Sequence, residues 1–89
     1  MTTIFVRHQV ADYPTWRRVF DGFAPTQKAL GVLSADVYQT TDDPKDVTVT
    51  HDFASIEAAQ AFAGSPELRA AMHDAGVVGA PTIWFANKA

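Results

Sequence analysis

Two histidines, His8 and His51, and an aromatic run of Tyr13, Trp16, Phe20 and Phe23 carry most of the chemistry this chain has to offer. A histidine near neutrality can take or give a proton, and aromatic faces can stack a planar ligand. The two histidines occupy segments that repeat each other. Val6-Arg7-His8-Gln9-Val10-Ala11-Asp12-Tyr13 is answered by Val49-Thr50-His51-Asp52-Phe53-Ala54-Ser55-Ile56, which makes His8 and His51 counterparts. Each copy reads as a strand of alternating apolar positions, a capping residue and an amphipathic helix. Such a unit used twice in a short chain predicts the split βαβ arrangement of a ferredoxin-like α+β fold, β-α-β-β-α-β.

The elements that must position these residues follow from period and caps. The first strand covers about Thr3 to Val10, with Ile4, Val6, His8 and Val10 on one face and Phe5, Arg7 and Gln9 on the other. Asp12 caps a helix whose first turn tolerates Pro14, and its aromatic stripe faces the sheet. Gly22 and Pro25 predict a kink or break near Phe23, and Gly31 suits a left-handed C-terminal cap. Leu33 to Thr40 reads as the second strand, with Leu33, Ala35 and Val37 inward, and Thr41 to Asp46 as a turn. Val47 to Phe53 is the third strand, placing Val47, Val49, His51 and Phe53 inward. Ser55 caps a helix that stops at Gly64 and restarts at Ser65-Pro66-Glu67, with Leu68, Ala71, Met72 and Ala75 buried and His73 in solvent. Gly76 ends it, and Thr82 to Asn87 is the last strand.

If the pseudo-twofold sets the register of the first and third strands, His8 faces Val47 and His51 faces Ile4. The imidazoles then stand roughly 13 Å apart along the strands, too far to share a proton. Each would act alone, or be satisfied by a backbone carbonyl at the end of the core. The aromatic stripe is likewise either core or pocket wall. No other ligand lies at useful spacing from either histidine, so no metal site is expected.

Composition narrows the function classes. At 89 residues, 47% of them apolar, the chain predicts one globular domain with a modest core that self-association would enlarge. The net charge of −3 with scattered Lys and Arg argues against nucleic acid. No cysteine is present, which excludes disulfides, thiolate metal sites and a thiol nucleophile and fits a reducing compartment. The sequence shows neither a secretory signal pattern nor the roughly 20 apolar residues needed to span a bilayer, so a cytoplasmic protein without a membrane partner is expected.

The run His51-Asp52-Phe53-Ala54-Ser55-Ile56-Glu57-Ala58-Ala59-Gln60-Ala61-Phe62, followed by Ser65-Pro66-Glu67-Leu68, resembles the dimeric α+β barrel superfamily. Asp12-Tyr13 with Trp16 and Phe20 at the first strand–helix junction strengthens the likeness to its antibiotic-biosynthesis monooxygenase-like, stress-responsive and cyclase branches. The resemblance implies a four-stranded antiparallel sheet, helices on one face, a homodimer formed by two such sheets, and a ligand pocket between sheet and helices. The chain carries no cofactor motif, so no cofactor is expected. Haem-degrading members and plant polyketide cyclases of this fold carry a functional histidine near the helix restart. Here Gly64, Ser65, Pro66, Glu67 and Leu68 offer no imidazole, so haem binding and that cyclase mechanism are not expected to carry over.

Two readings follow. One is a small cofactor-independent oxygenase-like or cyclase-like enzyme acting on a planar aromatic or polyketide-type molecule. His8 or His51 would be its catalytic group, and Tyr13, Trp16, Phe20 and Phe53 would be its ligand-binding wall. The other is a non-catalytic dimeric barrel protein, stress-associated or ligand-binding, using the same pocket. In both, the sheet face bearing Phe5, Arg7, Gln9, Asp36, Tyr38, Thr48, Thr50, Asp52 and Trp84 is the expected dimer interface, with Arg7 paired to Asp52 or Asp36.

Overall fold

Residues Met1–Ala89 are described by a computed structural model. Alternation and caps produce β1 (Thr2–Val10), α1 (Tyr13–Ala29), β2 (Ser34–Thr40), β3 (Asp43–Phe53), α2 (Ile56–Ala63), α3 (Pro66–Asp74) and β4 (Val77–Asn87). The strands form one antiparallel sheet in the order β2-β3-β1-β4. The helices cover one of its faces, and the architecture is the ferredoxin-like α+β fold.

The caps work as their residue types dictate. The Asp12 carboxylate accepts from the Thr15 backbone N–H at 3.0 Å, Ser55 Oγ from Ala58 N–H at 3.2 Å, and Ser65 Oγ from Leu68 N–H at 3.2 Å. Pro14 and Pro66 occupy first turns, where a missing donor breaks nothing. Gly31 (φ 97°) and Gly76 (φ 77°) turn the chain out of α1 and α3 in the left-handed conformation.

The duplication sets the central register. Val6 pairs with Val49, His8 with Val47 and His51 with Ile4. Inward side chains then build two apolar clusters. Ile4, Val6, Val32, Phe53, Ala59, Phe62 and Leu68 form one, where Phe53 and Phe62 meet at 5.3 Å. Val10, Trp16, Val47, Val49 and Ala75 form the other.

Five local expectations are corrected. Helix α1 runs unbroken through Pro25. Asp21, whose carbonyl Pro25 cannot bond, is exposed like Gly22 and Pro25, so water can take over the lost contact. Strand β3 begins at Asp43, so Asp43 to Asp46 extend the strand instead of turning. Strand β4 begins at Val77, because its pairing with β1 resumes beyond a bulge: Arg7 faces Thr82, but Gln9 faces Val78. Gly79 (φ 74°) and Pro81 fall within that bulge, where a left-handed glycine and a proline without a donor are both accommodated. Leu33 precedes β2 and is exposed. Finally, Arg7 pairs with Asp46, not Asp52 or Asp36.

That pair dominates the outer sheet face. Arg7 Nε donates to Asp46 Oδ1 at 3.1 Å and Nη2 to Oδ2, while Thr40 Oγ1 donates to Oδ2 at 2.9 Å. Asp52 is held instead by the Thr3 and Ser34 hydroxyls, each at 2.6 Å. Beside them Phe5 and Trp84 stack, with centroids 5.1 Å apart and planes 4° from parallel.

Candidate functional site

The helix-covered face of β1 and β3 presents His8 and His51 to the underside of α1. Strand alternation puts both imidazoles on this face, and it buries them to 6% and 3% exposure. Trp16, Val19, Phe20, Phe23 and Gln27 descend from α1, and Leu68, Ala71, Met72 and Ala75 from α3. Together with Val6 and Val49 they line a half-open cavity of about 40 Å³. At roughly 10–15 Å³ per water, about three or four molecules would fill it.

Its aromatic wall is a ladder. Tyr13 stacks on Trp16 at 5.8 Å, and Trp16 on Phe20 at 5.0 Å with planes 12° apart. Trp16 also meets the His8 ring at 5.7 Å, and His51 meets Phe62 at 5.0 Å. Phe20 is only half-buried, whereas Trp16 is fully enclosed. The Arg17 guanidinium lies 5.4 Å from the Phe20 ring centre. Phe20 and Gln27 also border an open groove between the end of α1 and β2, about 680 Å³ in volume, with Lys28 on its rim.

Of the residues singled out from the sequence, His8, His51, Trp16 and Phe20 line the cavity. Tyr13 supports Trp16 from behind, and Phe53 packs into the neighbouring core cluster without reaching the cavity. His73 is exposed. Sequence reasoning missed Gln27. The spacing of Trp16, Phe20 and Phe23 continues to it by one further step of four, but its polarity separates it from the apolar stripe.

The two histidines are neutral by burial. Desolvation lowers His51 from 6.5 to about 4, with Asp52 opposing weakly and His8 assisting. Desolvation also lowers His8, opposed by the negative charge of Asp46. Asp46 itself is held below the ordinary carboxylate range by Arg7 and Thr40. The imidazoles make no hydrogen bond to each other. Neither nitrogen of His8 has a partner, nor does Nδ1 of His51, whose Nε2 lies 3.3 Å from Gln27 Nε2. Buried polar atoms are normally satisfied, and here three ring nitrogens of cavity-lining histidines have no partner within the protein. The β4 bulge falls beside His8, a place where sheets are often re-aimed near active sites. No three His, Cys, Asp or Glu side chains gather as a metal site.

Residues 4–74 match the family description antibiotic biosynthesis monooxygenase. The chain belongs to that family. No functionally curated protein matches it. Solved structures of this family share the fold. One assigned to the antibiotic biosynthesis monooxygenases of Caulobacter crescentus CB15 is 21% identical, with a TM-score of 0.78 over 99% of this chain and 89% of that one. One of the same description from Bordetella bronchiseptica is 11% identical, with a TM-score of 0.83 over 99% and 96%. SnoaB, a cofactor-independent oxygenase from Streptomyces nogalater, is 11% identical, with a TM-score of 0.80 over 99% and 92%. Within the antibiotic biosynthesis monooxygenase fold, this chain's own cavity is lined by two buried imidazoles and one amide.

Proposed function

We propose that this protein is a cofactor-independent oxygenase-like enzyme acting on a planar aromatic, polyketide-type molecule with an acidic C–H or O–H. The observation that carries this reading is the pair of buried histidines, three of their ring nitrogens without a protein partner, in the lining of an apolar, aromatic-walled cavity. Family membership and the likeness to SnoaB support the reaction class. In this reading Trp16 and Phe20 stack the ring system, and a neutral imidazole removes its acidic proton. The resulting carbanion supplies electrons to dioxygen. For an activated ring methylene, the methylene becomes a carbonyl, one oxygen atom stays on the substrate, and the other leaves in water. The ligand extends past a rotated Phe20 into the groove beside Lys28, because the cavity alone is smaller than a fused ring system needs.

The working unit is a cytoplasmic homodimer closed through the outer sheet face. Exposed Tyr38 and Trp84 and the Phe5–Trp84 stack support that assembly. No helix is long and apolar enough to cross a membrane.

Anthrone is a suitable probe: a planar tricycle whose central methylene is acidic and lies across the ring from a carbonyl. Oxygen uptake with anthraquinone and water as products, reduced on the order of 100-fold by His8→Gln, is the expected outcome. The small cavity volume favours a second reading, a non-catalytic dimeric barrel protein that binds a small molecule. Saturable anthrone binding with no oxygen uptake above the uncatalysed rate would select it.

A further inference from the structure

We propose that Gln27 is a positioning residue that holds His51 as its Nδ1–H tautomer, so that His51 donates to a ligand oxygen while His8 alone takes the proton. The inference rests on reading the cavity as a ligand site. Gln27 is 5% exposed and aims its amide at the His51 ring from α1. An amide nitrogen only donates, so the 3.3 Å contact requires a lone pair on His51 Nε2. A neutral imidazole carries one proton, and burial keeps this ring neutral. That proton therefore stands on Nδ1, which has no acceptor within the protein. Turning the amide over would present its oxygen and demand the opposite tautomer, which makes the tautomer itself the observable.

His8 has no such director. Neither of its ring nitrogens is bonded, and its ring neighbour from the helix layer is Trp16. Duplication made the two histidines counterparts, and the helices have made them unequal. One is a fixed donor and the other keeps a free lone pair for proton transfer. The ligand this arrangement orients is a planar molecule with an acceptor oxygen at the His51 end and an acidic hydrogen at the His8 end. A ketone whose acidic methylene lies across the ring from its carbonyl meets both conditions.

Long-range proton–nitrogen NMR of the ¹⁵N-labelled full chain distinguishes the tautomers without any ligand. The wild type is expected to show a protonated Nδ1 and an unprotonated Nε2 at His51. Gln27→Leu, similar in size but without a donor, should move the ring toward Nε2–H, and Gln27→Glu, which accepts, should do so fully. With anthrone under nitrogen, Gln27→Leu should weaken binding about tenfold, the loss of one buried hydrogen bond. An Nε2–H ring in the wild type, or an unchanged Nδ1–H ring in both variants, would overturn the assignment. If the wild type shows Nδ1–H but anthrone does not bind, the donor role and the ligand-site reading fall while the tautomer assignment stands.

Discussion

Burial outweighs the nearby charges of Asp46 and Asp52 and leaves His8 and His51 neutral at pH 7, a state with a cost that pH exposes. The folded value of His51, about 4, lies below the 6.5 of an unfolded chain. Between those values the unfolded state binds the additional proton, so stability is fully present above pH 6.5 and declines as pH falls toward 4, by about 3 kcal/mol. Denaturant titrations at pH 7 and pH 4.5 should show that decline, and His51→Gln should flatten it. Stability contributed by Asp46 and Asp52 is lost only lower, as pH falls through their depressed values. A second residue-scale expectation separates core from pocket. Phe53 has no exposed surface, and Phe53→Ala should cost about 3–5 kcal/mol. Half-buried Phe20 should cost about 1–2 kcal/mol on truncation to Ala, since less of its surface leaves water and it borders the groove. Equal losses in equilibrium unfolding would make Phe20 an ordinary core residue.

At the scale of elements, what could be read from the sequence was whatever rests on period and repetition. The strand alternation gave the inward set Ile4, Val6, His8, Val10, Val47, Val49, His51 and Phe53, and the repeat gave their register. Breaks and extensions were less legible, because they depend on surroundings that composition does not reveal. Pro25 reads as a helix breaker, yet its face of α1 is solvent and the helix passes through. Asp46 reads as a turn residue, yet Arg7 and Thr40 make it part of a strand. The bulge of β4 left no alternation to detect. In the site, His8, His51, Trp16 and Phe20 were legible by type and face, while Gln27 was hidden by its polarity and Phe53 was absorbed by Phe62. Gly22 tests the description of α1. A Cβ there meets nothing within 4 Å on an exposed face, so Gly22→Ala should stabilise by about 0.5–1 kcal/mol. Gly79 (φ 74°) should lose about 1 kcal/mol on change to Ala, and its strained bulge should perturb the His8 resonances nearby. Thermal unfolding checks both.

For the whole molecule, the sheet is covered on one side only, and the other side mixes a bidentate ion pair with stacked aromatics. The proposed dimer buries that side. Sedimentation at micromolar concentration should give twice the chain mass, and Trp84→Asp should shift the population toward monomer; a monomer at every concentration would remove the assembly from the account. In the proposed function, the cavity under α1 receives a ligand between the two imidazoles. The most direct test is a titration of the ¹⁵N-labelled protein with anthrone under nitrogen, following the ring nitrogens of His8 and His51 and the indoles of Trp16 and Trp84. Saturable shifts of both imidazoles and of Trp16 with one binding constant, and none at Trp84, are the predicted result. Shifts confined to Trp84, or no saturable shift at either histidine, would contradict it.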